Sequence, residues 1–355
     1  MTAGNRPALP NARGPLSAQV RDRLTRTPPG GSVALDWPDD AAALGPFPSD
    51  EEDRQLALTL CYELHYRGWS GVDDAWEWHP GLLSVVAGLE AELWTGLERM
   101  VEEQWGRIRV RPAQVPDALA ELTGAELGPS LSSYLARKAS ADHYREFLIH
   151  RSIYHLKEAD PHTWAIPRLA GPVKAALVEV QSDEYGGGRA DWMHATLFAE
   201  VMRGLGLDAG YGGYLDAVPA VTLTWANTMT LFGLHRRFRG ALVGHLAALE
   251  MTSSLPNRRY AAGLRRLGLG ASTTRFFDEH VEADAVHEQI ACHDLAGRLA
   301  LAEPELAESI LFGAAAALIT DARVSRHLLD RWQSRESSLR SAAAEPVGLG
   351  AAGGR

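Results

Sequence analysis

From residue 51 to residue 335 apolar residues recur at helical spacing, and no stretch of useful length alternates apolar and polar residues as a half-buried strand must. A chain patterned this way can only bury helical stripes against one another, which makes the expected fold all-α, a helical bundle. The first stripe, 51–67, follows Ser49 and Asp50, whose side chains suit a helix N-terminus. Residues 80–106 place Leu82, Leu83, Val86, Leu89, Leu93 and Leu97 on one face. The spacing predicts further helices over 130–155, 168–183, 190–204, 217–252, 257–267, 272–300 and 303–335. The breakers between them are Pro161, Pro167, Gly186–Gly188, 210–213, Pro256 and 268–270.

The ends read differently. Residues 1–50 are rich in Pro, Gly, Ala and Asp with weak periodicity, and are expected to form an irregular N-terminal arm. Residues 51–336 form the helical domain, and 337–355, Ala/Gly-rich beyond 341, a disordered C-terminal tail. The 355 residues are 46% apolar, enough for a substantial core. A net charge of −10 disfavours nucleic acid and anionic membranes as partners. Two cysteines, Cys61 and Cys292, make neither a disulfide framework nor a CxxC pair. With no long apolar run and no apolar signal core near the start, the expected location is cytoplasmic.

Four segments carry the chemistry. In FFDEHVEADAVHEQ, 276–289, His280, Asp284 and His287 stand at spacings of four and three. On a helix they project within roughly 60° of one another, a stripe of two imidazoles and a carboxylate suited to a first-row metal. An acidic, solvated helix face is the competing reading. Glu250 ends an apolar run, where a bare carboxylate costs several kcal/mol of desolvation unless a cation or a proton meets it; the competing reading is an exposed Glu near the helix end, beside Thr252 and Ser253. Asp183, Glu184 and His194 flank three glycines; a helix broken there can turn Glu184 and His194 to one point, or be an ordinary turn. Glu158 sits before Pro161 with His155 and His162 as neighbours. The pieces GLGLDAGYGG and GLGLG follow no strand, so they read as helix ends rather than nucleotide loops.

Taken in order, these segments resemble the heme-oxygenase-like diiron oxidases and oxygenases, over most of 145–290. N-oxygenating members carry a Glu, a second Glu 26 residues on, a His ten later, a further Glu, and an H-x3-D-x2-H set beginning 30 residues beyond it. Here Glu158, Glu184, His194, Glu250, His280, Asp284 and His287 fall at those spacings. The resemblance implies a heme-oxygenase-like bundle of about seven core helices with extra N-terminal helices. It implies these seven side chains as ligands of two irons, with Glu184 the extra carboxylate of the N-oxygenase branch. Ferritin-like sites need Glu-x-x-His pairs, and neither EADPH nor EADAVH has that spacing. Four carboxylates balance two ferrous ions, so the reduced centre is nearly neutral and can be buried. Manganese suits the same donors.

The implied activity is O2 activation as a peroxo-diferric species and oxidation of a small-molecule amine to a hydroxylamine, nitroso or nitro product, in specialised natural-product metabolism. Glu184 and Asp284 would act in catalysis, an external electron donor such as a reductase would re-reduce the irons, and a homodimer is expected. Arg236 and Arg237 are candidates for a substrate carboxylate, against a reading as plain salt-bridge residues. Tyr185, Trp164 and Trp192 are candidate pocket walls. The alternatives are desaturation or C–C cleavage of an amino or fatty acid, a haem-binding oxygenase using His65, and a helical interaction protein without catalysis.

Overall fold

Pro15 opens a helix inside the segment expected to be irregular. Helix α1 (Pro15–Leu24) has Pro at its first position, where the ring's fixed φ suits helix entry. Its first amides are met from a distance: Leu16 and Ser17 N–H donate to the buried Asp53 carboxylate at 2.9 and 2.7 Å. No local pattern announces a cap supplied from 36 residues away, which is why the sequence reading missed it. A computed structural model describes residues 6–28 and 50–340, apart from the side chains of 282–285. Ser49 therefore lies outside the described residues, but Asp50 does cap α2 (Glu51–Tyr62), accepting from Asp53 N–H.

Helices α3 (Pro80–Trp105), α4 (Val115–Thr123) and α5 (Leu131–Arg137) follow. The helix expected over 130–155 is two: Ser140 accepts from His143 N–H and starts α6 (Ala141–His155) afresh. A short α7 (Asp160–Thr163) leads to α8 (Gly171–Glu184), α9 (His194–Gly204) and α10 (Ala220–Leu234). The helix expected over 217–252 breaks at His235, whose ψ is 119°. Arg168 donates to the carbonyls of Gly233 and Leu234, satisfying the end of α10 there. After the break α11 (Arg239–Arg266) runs 28 residues, straight through Pro256. Contacts with α5, α12 (Ala271–Gln289) and the C-terminal helix hold both halves in line, so packing overrides the local penalty of proline. A π-helical stretch, Ile290–Gly297, links α12 to α13 (Arg298–Ala302), and α14 (Ala307–Gln333) closes the bundle.

The tightest contact is the crossing of α11 and α14. A Cβ on Gly244 would fall 1.7 Å from the Ile310 carbonyl oxygen, and one on Gly313 1.9 Å from that of Ala241. Only glycine lets the backbones meet this closely. At this crossing Ile310, Leu311 and Ala314–317 are buried in the core. The expected disordered tail is pinned through its first residues: Ser338 N–H and Oγ donate to Glu146, and Arg340 N–H donates to Ala217 O. Its remainder, 341–355, lies outside the described residues. Among the described residues there is no strand, and no helix is long and apolar enough to cross a membrane.

Candidate metal centre

Four elements converge on α11: the turn after α6, α8, α9 and α12. Glu158 lies in the turn after α6, followed by Ala159 at φ 74°, a left-handed conformation that is strained for a residue with a Cβ. The turn folds Glu158 back beneath α6, where His155 Nδ1 donates to its Oε1 at 2.8 Å. Glu184 is the last residue of α8 and His194 the first of α9. Between them Gly186, Gly187 and Gly188 all take positive φ. At Gly186 a Cβ would lie 2.6 Å from the Trp192 carbonyl carbon, so this turn needs glycine for space as well as conformation. It brings His194 Nδ1 to 2.8 Å from Glu184 Oε2.

His280 and His287 are seven residues apart on α12, about two turns and roughly 10 Å along the axis. They share a face but cannot share one ion, and the side chains around them divide accordingly. Ligand atoms of Glu158, Glu184, His194 and His280 lie within 4.8 Å of one another, and so do those of Glu184, Glu250 and His287. Glu184 is common to both groups. These six of the seven sequence-derived ligands are thus brought together, each 8% exposed or less. The Asp284 side chain lies outside the described residues.

The donor atoms are aimed at a common space rather than at each other. Glu158 Oε2, His194 Nδ1 and His287 Nδ1 are buried without a hydrogen-bond partner among the described residues. His194 Nδ1 lies 2.8 Å from Glu184 Oε2 without the angles of a regular hydrogen bond, and the carboxylate holds the imidazole's pKa above its usual value against burial. His280 Nδ1 donates to Phe276 O at 2.7 Å, and its Nε2 lies 3.7 Å from Glu158. His287 Nε2 donates to Asp183 at 3.0 Å, and its Nδ1 faces Glu250 at 3.4 Å. Fixing the outer nitrogen to present the inner one is how proteins prepare imidazole for a metal. Without a cation, protons and imidazoles compensate the carboxylates. Burial drives the Glu158 carboxyl up, but His155 and His280 outweigh it and hold it well below the usual range. Burial lowers His287, yet Glu250 and Asp183 hold it up at about 9. Buried oxygen and imidazole nitrogen donors without thiolate fit iron, and two cations would compensate the clustered carboxylates.

A cavity of about 320 Å³ reaches the cluster, lined at that end by Glu158, Glu184, Glu250 and His280. The sequence-derived substrate residues do not line it. Arg236 and Arg237 are exposed on a turn before α11, with Arg237 over the Phe238 ring. Tyr185 donates to Asp160 at 2.8 Å, Trp164 stacks on Tyr66, and Trp192 lies between Arg189 and Arg275. His65, the haem-ligand alternative, bonds Glu77 and packs on Trp78, also off the cavity. The sequence reading passed over three supports of the centre. Asp183 was noted only beside Glu184, His155 only as a neighbour of Glu158, and Phe276 contributes a backbone carbonyl that no side-chain pattern signals.

A helical bundle that gathers carboxylates and imidazoles into two buried groups about one shared Glu is a scaffold fit to hold metal ions. The chain belongs to the family described as iron-containing redox enzymes, which it matches over residues 145–322, a span holding every residue of the cluster. It is also similar to a nitrosourea synthase from Streptomyces achromogenes subsp. streptozoticus, 28% identical over 177 residues. That match spans 49% of this chain and 37% of the relative, so the chain covers little more than a third of that protein's length.

Proposed function

We propose that this chain is a non-haem diiron N-oxygenase that uses O2 to oxidise a small-molecule amine to a hydroxylamine, with further turnovers giving nitroso or nitro products. The observation that carries this reading is the position of Glu184 in both ligand groups, as a carboxylate bridging two ions must be. Iron bound there supplies reversible one-electron chemistry toward O2. The chain's own residues hold the centre ready: Phe276 O and Asp183 orient the two α12 imidazoles, and His155 fixes Glu158. Phe198 and Phe276 pack against His155, and Phe276 against His280, forming an apolar wall that excludes water.

The first oxidation balances as amine plus O2, two electrons and two protons giving hydroxylamine plus water. The electrons come from an external donor, a reductase or a chemical reductant. The relative's name describes formation of a nitrosourea, a product whose nitrogen is oxidised. That supports nitrogen over carbon as the reacting atom.

The test is anaerobic Fe(II) loading with iron counted per chain, then rapid mixing with O2 and an amine panel, with products identified by mass. About two irons per chain, an oxygen-dependent visible transient and a product one oxygen heavier at nitrogen are expected. Desaturated or chain-shortened products would replace the N-oxygenase reading, and absence of stoichiometric iron would remove the diiron centre. Manganese loading run in parallel settles which metal supports turnover.

A further inference from the structure

Two buried residues on the wall of the cavity that reaches the metal centre stand outside the ligand set. His162 on α7 and Gln181 on α8 both line it, and they are 1% and 2% exposed. Gln181 precedes Glu184 by three residues on α8, so the two share a face. The carboxylates of Glu184 and Glu158 both act on His162, opposing the fall in its pKa that burial causes. The two residues therefore belong to the metal end of the cavity.

Each is tied at one polar atom and bare at another. Thr163 Oγ1 donates to Gln181 Oε1 at 3.1 Å, and Gln181 Nε2 has no hydrogen-bond partner among the described residues. His162 Nε2 meets Nδ1 of His245, a fully buried residue of α11, at 3.1 Å. The two outer nitrogens, His162 Nδ1 and His245 Nε2, have no partner among the described residues. Polar atoms left bare in a protein interior are costly, and each calls for water or a ligand.

Proton counting constrains the histidine pair. Burial pushes His162 down to about 4 and His245 well below its usual value, so both rings are neutral at about pH 7. Two neutral rings carry two N–H groups on four nitrogens, and the bond between them holds one. When His245 Nδ1 donates in that bond, the proton of His162 is on Nδ1, which is then a donor. When His162 Nε2 donates, its Nδ1 is a lone pair and the other proton is on His245 Nε2. The rings are thus both Nδ1–H or both Nε2–H. Passing from one form to the other takes a proton from water at one outer nitrogen and returns one at the other, so no charge is created.

We propose that His162, backed by His245, and Gln181 turn their bare nitrogens to the cavity and hold the reacting nitrogen of the substrate through successive oxidations. An amine brings N–H groups, which the lone pair of His162 Nδ1 accepts. A nitro group brings only acceptor oxygens, which Gln181 Nε2 and the Nδ1–H form of His162 meet. A neutral wall that passes from acceptor to donor suits a nitrogen that passes from donor to acceptor as it gains oxygen. The oxidation series rests on the N-oxygenase reading; the coupling of the two rings does not.

The test is nitrogen-15 NMR of the histidine rings in the protein loaded with Zn(II), a redox-inert and diamagnetic ion that takes the same donors. The probes are butylamine and 1-nitrobutane, the first and last members of one oxidation series on the same carbon chain. Butylamine is expected to put His162 and His245 both in the Nε2–H form, and 1-nitrobutane to put both in the Nδ1–H form. Rings in opposite forms, a charged ring at neutral pH, or the same form with both probes overturns the proposal. Gln181→Leu is expected to weaken 1-nitrobutane roughly 3–10-fold and to leave butylamine unchanged, with wild-type metal content. A purely structural Gln181 would weaken both probes alike. If that variant does not fold, Gln181→Glu keeps the shape, removes the donor and carries the same comparison, and the ring forms are read on the unaltered protein. Turnover with Fe(II), O2 and a reductant separates the two ideas. If the unaltered protein oxidises no amine, the N-oxygenase reading falls while the ring forms still stand or fall on their own. If amines are oxidised but the rings do not answer the probes, the holding role alone falls.

Discussion

The two ligand groups use the same residue types but are supported differently. His280 is held by the Phe276 carbonyl one turn back on its own helix, and Glu158 by His155 three residues earlier. Both supports are local and sit among the rings of Phe198 and Phe276. His287 is held by Asp183, a side chain 60% exposed on another helix, and the π-helical stretch begins three residues beyond it. Support from the neighbouring turn survives small movements of helices, whereas support across helices is lost when they slide. If two ions bind as proposed, the Glu158–His194–His280 group would be the anchored half of the centre and the Glu250–His287 group the yielding half, where an ion would exchange first.

The largest effect comes from Glu184, the residue the two halves share. Glu184→Ala is expected to remove iron from both, taking the chain from about two ions toward none. Retention of a full complement would show that the carboxylate is not shared and would dissolve the comparison itself. Next come the two α12 histidines. His287→Ala is expected to leave about one iron per chain, bound as tightly as the tighter ion of the unaltered protein, whereas His280→Ala loosens both, because Glu184 is then left without its anchored partners. Stepwise chelator titration followed by iron analysis reads this directly, and equal losses from the two variants would mean that neither half is the anchor.

Asp183→Asn sharpens the contrast further. The amide keeps the shape but loses the charge that fixes the outer nitrogen of His287. The expected cost is about 10–100-fold in affinity for one ion only. An effect on both ions would mean that Asp183 acts through α8 as a whole rather than through His287.

Much of this site was legible because its signals are local. His280 and His287 share a helical face by their spacing, Glu250 stands out as a carboxylate ending an apolar run, and three consecutive glycines announce a break at Glu184. What stayed hidden depends on contacts between distant segments. Asp53 caps α1 from another helix, Arg168 closes α10 at His235, and packing carries α11 through Pro256. The π-helical stretch leaves no trace in apolar periodicity. Arg236 and Arg237 drew attention by being adjacent, and the structure places them on an exposed turn away from the cavity.

His150 marks where the comparison of supports ends, and it gives the smallest effect. It is buried as deeply as the ligand histidines, but neither ring nitrogen is left bare: Nδ1 meets Thr222 Oγ1 at 2.6 Å and Nε2 meets Ser338 Oγ at 3.1 Å. A histidine satisfied on both sides has no lone pair for a metal, so His150→Asn is expected to leave iron content unchanged. Its consequence is acid lability. Burial, helped by His327 and Arg151, pushes its pKa from 6.5 down to about 3. Between those values the unfolded chain binds a proton that the folded chain refuses, so stability is full above pH 6.5 and is lost as pH falls toward 3. By pH 5 the loss is about 2 kcal/mol. In His150→Asn that slope is expected to flatten, at a cost of about 1 kcal/mol near neutrality from the altered hydrogen bonds. Denaturant unfolding of both proteins at pH 7 and pH 5 measures it, and an unchanged slope would place the acid lability elsewhere, in the carboxylate cluster or in His162, which burial also pushes down to about 4.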